Sequence, residues 1–159
     1  NRGHLALCNW ETLRKLSKEL VETKLSKQVS QEARDRLDWH REQGHRLVLV
    51  TATVMPMAQA MADELGMDAV YGCGPENMTG IMSGSEKGWS VPRRKGKVPV
   101  VQADAESLGH DLADCWGYGN THADSFFMSI TGNPVAVNAE GGLKSLAKQK
   151  EWTQFEWRV

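Results

Sequence analysis

The stretch HRLVLVTAT, residues 45–53, is a continuous apolar and β-branched run of the kind that forms a buried parallel strand. Directly after it, the apolar residues of the segment 55–66 recur at helical spacing and predict a helix. A second short apolar run, DAVYG at residues 68–72, predicts the next strand. A strand, a helix and a strand in this order predict a parallel sheet and a protein of the α/β class.

The same alternation continues towards the C-terminus. Helices are predicted at residues 97–109, 121–130 and 140–150, and strands at 112–119, 134–138 and 151–159, the last as an edge strand. Before them, the glycine-punctuated residues 73–84 predict a hairpin and residues 85–96 predict a loop. Strands that alternate with helices at this spacing predict a three-layer, doubly wound parallel sheet.

Two helices without an intervening strand are predicted near the N-terminus. Asn9 is a suitable N-cap for the first, at residues 10–27, while Ser30 can cap the second and Gly44 can end it. The apolar face of the first helix is predicted to hold Trp10, Leu13, Leu16, Leu20 and Val21. A helix pair in this position resembles a small cap and is not expected to contribute to the sheet.

The length and composition are those of a soluble globular protein with a substantial core. The chain has 159 residues, of which 40% are apolar and 25% charged. Because the helix pair precedes the alternating strands and helices, we expect a helical cap segment at residues 1–43 and a Rossmann-like α/β core at residues 44–159. No apolar run approaches the roughly 20 residues that a membrane-spanning helix needs, so we expect no membrane partner.

Charge and cysteine content exclude further classes of protein. A formal net charge of −1 argues against a dedicated nucleic-acid binder, and the basic cluster RRKGK at 93–97, taken alone, is expected to be a solvated loop. Cys8, Cys73 and Cys115 are odd in number and widely spaced, which favours free thiols in a reducing compartment. We therefore expect a cytoplasmic protein.

Polar residues follow two of the predicted parallel strands at their carboxyl ends, where open sheets bind ligands. These are TAT at residues 51–53 and GYGNTHAD at residues 117–124. Hydroxyl groups and backbone N–H groups at such junctions suit an anion such as phosphate. Asn120 and Asp124 lie four positions apart, and their oxygens would suit Mg²⁺. A phosphate site and a metal site are therefore both possible interpretations of this edge of the sheet.

A dinucleotide-binding fingerprint is disfavoured for the same stretch. That motif needs a third small residue at position 122, where the chain has His122, and an acidic residue at the end of the following strand, where it has Asn138. The glycines of GYGNTHAD therefore do not predict a nicotinamide or flavin cofactor.

Several of these motifs together resemble a known family. VLVTAT at 48–53, a lysine in GKV at 96–98, YGNTHAD at 118–124 and GNPVAVN at 132–138 occur in the order and spacing of the haloacid dehalogenase (HAD) superfamily. The chain is most similar to the phosphoserine-phosphatase-like branch, subfamily IB, which carries a helical cap. The resemblance covers nearly the whole chain and implies a HAD-like core at residues 44–159 that lacks its first strand.

The resemblance implies a role for each residue that matches a family motif. Thr51 would hydrogen-bond the transferring phosphoryl group beside the Ala52 N–H, and Lys97 would neutralise the phosphate and the attacking carboxylate. Thr121 would contact the substrate, and Asp124 would orient the shell of a bound Mg²⁺. Thr51 and Lys97 are thus the catalytic candidates in this chain.

The chain departs from the family pattern at two motifs. Asn120 stands where the family has an aspartate that ligates Mg²⁺, which implies weaker charge compensation of the metal. The first motif, D-x-D-x-T, which holds the nucleophilic aspartate, is absent from these 159 residues. Asp104 and Glu106 imitate its spacing, but they lie in a predicted helix, where residues two apart point away from each other.

The resemblance therefore implies a Mg²⁺-dependent phosphomonoester hydrolase that acts on a small phosphorylated metabolite through an aspartyl-phosphate. Its nucleophile would come from a missing N-terminal segment or from a second chain. The alternative, a non-catalytic phosphate-binding or interaction module derived from the same fold, rests on the absent D-x-D and on Asn120.

Overall fold

The computed structural model describes residues 5–83 and 85–158. Residues 1–4 of the predicted cap, Gly84 of the predicted hairpin and Val159 of the predicted edge strand lie outside this range. The chain divides into two compact units, one ending at Val91 and the other running Pro92–Arg158. The expected boundary between residues 43 and 44 falls inside the first unit, and the assignment of a separate cap stays a prediction.

The first unit combines helices with a small sheet. Its elements are α1 (Trp10–Leu20), α2 (Gln31–Glu42), β1 (Val48–Val54), α3 (Met55–Glu64), β2 (Ala69–Pro75) and β3 (Trp89–Ser90). α1 continues through a π-helical turn, Val21–Leu25, into a short 3₁₀ turn. Both predicted N-caps are confirmed, because the Asn9 side chain accepts from the Glu11 N–H and the Ser30 side chain accepts from the Ala33 N–H.

The sheet of the first unit has the order β1-β2-β3. β1 and β2 are parallel, as the βαβ pattern predicts, and β3 runs antiparallel to β2. β2 and β3 form a hairpin, as predicted. Its second strand, Trp89–Ser90, lies in the segment predicted as a loop. Two residues are too few to produce a periodic signal, which is why the sequence pattern does not show β3.

The buried face of α1 matches the predicted one in part. α1 packs against α3, and Trp10 and Val21 of the predicted face are buried, whereas Leu16 and Leu20 are 56% and 36% exposed. Ser17, which the apolar pattern does not include, is buried. The apolar pattern therefore predicts the helix and part of its buried face correctly, and the burial of Leu16 and Leu20 wrongly.

The second unit alternates strictly between helices and strands. Its elements are α4 (Lys97–Leu108), β4 (Trp116–Gly119), α5 (Ser125–Met128), β5 (Asn133–Val137), α6 (Gly141–Gln149) and β6 (Thr153–Phe155). β4, β5 and β6 form one parallel sheet in this order, so the predicted α/β class is confirmed. α5 is a single turn and is much shorter than the predicted helix at residues 121–130.

The core of the second unit lies where α5 and α6 pack against β5. Its buried members are Met128, Ala136, Ala139, Leu143 and Ala147, with Phe127 and Trp152 packed at the edge. Ala136 is the residue of β5 in this cluster, and the cluster lies beside the loop between β4 and α5, since Met128 belongs to α5. None of the helices in the described residues is long and apolar enough to cross a bilayer.

Asn138 follows β5 and fixes the C-terminal segment. Its side-chain amide donates to the Trp157 carbonyl at 3.0 Å, and its amide oxygen accepts from the Trp157 N–H at 2.7 Å. The residue has a φ of 45°, a left-handed conformation that asparagine tolerates better than most residues with a Cβ. This double hydrogen bond gives Asn138 a structural role beside the β5–β6 pairing.

Candidate active site

The corner between β4 and α5 is built around Asp124. β4 ends at Gly119, and the chain turns so that the Asp124 N–H donates to the Thr121 carbonyl at 2.9 Å. Asp124 directly precedes α5 and is only 8% exposed. A carboxylate buried to this degree requires charged or polar partners, because burial of an unpaired charge is unfavourable.

One partner is Lys97, the first residue of α4. Its ammonium group donates to Asp124 Oδ1 at 2.6 Å, and the two side chains are 11% and 12% exposed. The same ammonium lies 5.4 Å from the centre of the Phe127 ring, a distance at which the aromatic face attracts a cation. The ion pair therefore lies against an apolar wall and is largely shielded from water.

The second carboxylate oxygen binds the loop itself. Asp124 Oδ2 accepts from the Thr121 hydroxyl at 3.1 Å and from the Thr121 N–H at 3.3 Å, with the Asn120 N–H at 3.4 Å. Asp124 thus holds the loop that carries Asn120 and Thr121 in place while it holds the Lys97 ammonium. The predicted site residues Lys97, Asn120 and Thr121 thus all contact the carboxylate of a fourth, Asp124.

These contacts decide the charge state of Asp124. Burial by itself raises the pKa of the carboxyl group, but the hydrogen bond and the positive charge of Lys97, followed by the donors of Thr121, outweigh it and hold the pKa below its usual range. Asp124 is therefore ionised at neutral pH, and Lys97 is held by a full negative charge.

Gly119 leaves the room that Asp124 needs. A Cβ on Gly119 would lie 2.5 Å from the Asp124 Cβ and 2.7 Å from the Met128 sulfur, closer than such atoms can approach. The corner therefore requires a residue without a side chain at position 119. The requirement comes from this close approach and not from backbone conformation, since the φ of Gly119 is not in the left-handed region.

Thr51 and Ala52 belong to the first unit, near the carboxyl end of β1. The Thr51 hydroxyl donates to the Thr53 hydroxyl at 3.0 Å and accepts from the Thr53 N–H at 3.1 Å. Here the pairing with β2 is irregular, since it steps from Val50 to Val54 on β1 but only from Tyr71 to Cys73 on β2. The register of β1 against β2 is therefore irregular at the segment that holds Thr51 and Ala52.

Comparison with known proteins assigns the chain to a family. A sequence model described as haloacid dehalogenase-like hydrolase matches residues 3–128, which is most of the chain. The chain belongs to this family. The resemblance to the HAD superfamily is therefore confirmed. A Mycobacterium tuberculosis protein named phosphoserine phosphatase SerB1 is 27% identical over 144 residues, which are 91% of this chain and 46% of that protein.

Solved structures share the fold. A protein of unknown function from Bordetella pertussis superposes with a TM-score of 0.84 at 24% identity, covering 96% of this chain and 70% of the other. A phosphoserine phosphatase solved as an analogue of its phospho-aspartyl intermediate gives a TM-score of 0.67 at 15% identity, covering 97% and 68%. The chain spans about half the length of the curated relatives it matches.

Phosphatases of the HAD family generally use Mg²⁺. The residues of the corner supply only part of a Mg²⁺ site. Asn120 is exposed at the end of β4 and can contribute a neutral amide oxygen, but both oxygens of Asp124 already accept from protein donors. Across residues 5–83 and 85–158, no cluster of three or more His, Cys, Asp and Glu side chains is placed to hold a metal. Most of the ligand charge that Mg²⁺ requires is therefore not supplied at this corner.

Two of the corner's members were given no role there by the sequence analysis. Phe127 forms the wall beside Lys97, and Gly119 makes room for Asp124. A signal for Gly119 existed, because it ends a predicted strand directly before polar site residues. No signal could have identified Phe127, since an aromatic residue in a short apolar run is equally suited to the core.

Proposed function

We propose that the protein containing this chain is a phosphatase that hydrolyses phosphomonoesters of small metabolites through an aspartyl-phosphate. The observation that carries the proposal is the buried ion pair between Lys97 and Asp124 at the end of a parallel strand. Membership of a hydrolase family and the similarity to a named phosphoserine phosphatase support it. Phosphoserine itself is one candidate substrate among such metabolites.

The residues of this chain would act mainly by binding charge. Lys97 would hold its ammonium towards the phosphoryl oxygens while Asp124 fixes its position, and electrostatic stabilisation of this kind is usually the largest contribution to catalysis. Thr121 in the second unit would bind the phosphate by its hydroxyl. The family resemblance gives the same role to Thr51, with the Ala52 N–H beside it.

The nucleophile and the metal complete the proposal. The attacking carboxylate would come from an N-terminal segment preceding these residues, or from a second chain, because the 159 residues contain no D-x-D. Mg²⁺ would bind with Asn120 as a neutral ligand and Asp124 ordering the loop behind it, and would supply Lewis-acid stabilisation of the phosphoryl group. We place the protein in the cytoplasm because Cys8, Cys73 and Cys115, the cysteines of these 159 residues, are odd in number and widely spaced, which favours a reducing compartment.

The test is phosphate release from p-nitrophenyl phosphate by the full-length protein, with Mg²⁺ or with EDTA. We expect release that EDTA abolishes, and a fall in kcat of roughly 100-fold or more for Lys97→Ala. Lys148→Ala is the matched control, since Lys148 is an exposed lysine on α6 in the same unit. Circular dichroism must show that both variants remain folded. Full turnover in a folded Lys97→Ala variant would contradict the proposal.

A non-catalytic phosphate-binding module is the second candidate. It is favoured by one observation, that the neutral Asn120 stands at the metal position while both Asp124 oxygens are engaged. Such a module would be stabilised against heat by inorganic phosphate and would release none from esters. Mg²⁺-dependent turnover by the full-length protein eliminates it, whereas phosphate-induced stabilisation without turnover favours it.

A further inference from the structure

Two consecutive phenylalanines of α5 face two lysines at and just before the start of α4. The Lys97 ammonium lies 5.4 Å from the centre of the Phe127 ring, and the Lys95 ammonium lies 5.6 Å from the centre of the Phe126 ring. Both distances are within the range at which the face of an aromatic ring attracts a cation. Only Lys97 has a role in the proposed chemistry, so only the Phe127 contact bears on that chemistry.

The two contacts differ in their exposure to water. Lys95 is exposed, whereas the Lys97 side chain is 11% exposed and that of its partner Asp124 is 12% exposed. A cation–π contact is weak between hydrated groups and becomes stronger when the groups are removed from water. The Phe127 ring therefore lies where its attraction for a cation has the larger effect.

Asp124 alone does not fix the Lys97 ammonium. An ammonium group has three N–H donors, and one of them donates to Asp124 Oδ1 at 2.6 Å. Across residues 5–83 and 85–158, no other protein atom accepts a hydrogen bond from this ammonium. A single hydrogen bond leaves the ammonium free to swing about the carboxylate oxygen. The Phe127 ring limits that movement without using either of the two remaining donors.

The Phe127 ring is itself held by the core of the second unit. Phe127 is half-buried and packs against the buried cluster that contains Met128 and Leu143. A side chain supported by a packed core keeps its position better than one on a free loop. The ring therefore gives Lys97 a fixed apolar surface, while Asp124 gives it a fixed charge.

We propose that Phe127 is a positioning residue for the phosphatase reaction and that it acts through Lys97. The inference rests on the proposed function and deepens it. The ring holds the Lys97 ammonium beside Asp124, keeps water from the charge and leaves two N–H donors for the phosphoryl oxygens. In this role Phe127 touches neither the substrate nor the reacting atoms. Without the ring the ammonium is more hydrated and more mobile, and a group that must be aligned with the phosphoryl group is less effective when it moves.

Turnover of p-nitrophenyl phosphate by the full-length protein with Mg²⁺ tests the inference. Phe127→Leu keeps an apolar side chain but removes the ring, and we expect kcat to fall roughly three- to thirtyfold, the effect of one shielded cation–π contact. Phe127→Tyr keeps the ring and should retain kcat to within about twofold. Phe126→Leu is the matched control, because the same change one residue earlier removes a ring from Lys95 and should leave kcat unchanged. Circular dichroism must show that the variants are folded, and Phe127→Met replaces Phe127→Leu if the latter is not.

A double-mutant cycle shows whether Phe127 acts through Lys97. In a Lys97→Ala background, Phe127→Leu has no ammonium to release and should change kcat by less than about twofold. An unchanged kcat in Phe127→Leu, an equal loss in both backgrounds, a loss of the same size in Phe126→Leu, or no recovery in Phe127→Tyr overturns the inference. If the wild type hydrolyses no ester, the phosphatase proposal fails, and the Kd for inorganic phosphate, measured by calorimetry, decides the inference. Weaker binding by Phe127→Leu than by Phe126→Leu then supports it, and equal or undetectable binding overturns it.

Discussion

Two buried side chains, Asp124 in the second unit and His40 in the first, are held in different charge states. In the second unit, Lys97 and Asp124 form an ion pair at 2.6 Å. In the first unit, the Nδ1 atoms of His40 and His45 lie 2.8 Å apart, and one ring must donate while the other accepts. Burial lowers the pKa of His40 to about 4, with contributions from Arg36 and His45, so His40 is neutral at physiological pH.

The difference shows that burial alone does not decide ionisation. Asp124 keeps its charge because Lys97 and Thr121 provide donors that exceed the cost of desolvation. His40 has a cationic neighbour instead, since the Arg36 guanidinium lies 4.0 Å from the centre of the Trp39 ring, which in turn packs edge-on against both histidines. The ion pair therefore keeps its charge despite burial, and the histidine pair connects the end of α2 to the chain entering β1.

The largest effect is expected from removal of one partner of the ion pair. Lys97→Met leaves the Asp124 carboxylate buried without its cation, which should lower the free energy of unfolding by about 3–5 kcal/mol. Urea denaturation followed by circular dichroism measures it. Combining Lys97→Met with Asp124→Leu removes both charges and should recover a large part of the loss. If the double variant were as unstable as the single one, the ion pair would not be the cause.

The histidine pair should dominate the dependence of stability on pH between about 6.5 and 4. The unfolded chain takes up a proton on His40 below its ordinary pKa of 6.5, whereas the folded chain resists it down to about 4. The contribution of neutral His40 to the free energy of unfolding is therefore fully present above pH 6.5. It declines by up to about 3 kcal/mol as the pH falls. Asp124 adds no loss in this range, because its pKa lies below the ordinary 3.8.

Denaturation curves at pH 7 and near pH 4.5 measure this contribution. His40→Gln can still hydrogen-bond His45 but cannot titrate, so it should remove most of the pH dependence. His110→Gln, which changes an exposed histidine after α4, is the control and should leave it intact. An unchanged pH dependence in His40→Gln would show that other groups cause it.

A smaller loss is expected at the glycine that makes room for the ion pair. Gly119→Ala places a methyl group 2.5 Å from the Asp124 Cβ, so Asp124 must move and its bond to Lys97 must weaken. We expect a loss of roughly 1–3 kcal/mol in unfolding free energy. Gly142→Ala is the control, because its Cβ would only reach ordinary contact with His122 at 3.5 Å. A Gly119→Ala protein as stable as this control would contradict the geometry.

The smallest effect is expected at a buried polar group with no partner. Ser17 on α1 is 1% exposed, and its hydroxyl has no hydrogen-bond partner among the described residues. Ser17→Ala should therefore stabilise the protein by about 1 kcal/mol, because the cost of desolvating the hydroxyl disappears. Ser125→Ala should destabilise it by a similar amount, since that buried hydroxyl donates to the His122 carbonyl at 2.8 Å. Thermal melts of both variants compare them directly.

Much of the fold could be predicted from local patterns. The apolar run entering β1 and the alternation of strands and helices identified the α/β class, and the short polar residues Asn9 and Ser30 identified two helix starts. These features depend on neighbours along the chain, which spacing records. The shortness of α5 and the existence of β3 could not be predicted, because each depends on a partner far away in the sequence.

For the candidate site, the sequence by itself determined which hydroxyl, ammonium and carboxylate groups follow the strands, because residue type and the order of elements are local properties of the chain. Only the tertiary structure decided how they combine. Lys97 and Asp124 are 27 residues apart, and their contact depends on how α4 packs beside α5. The same packing decides that Asp124 binds a lysine with one oxygen and its own loop with the other, which no spacing along the chain encodes.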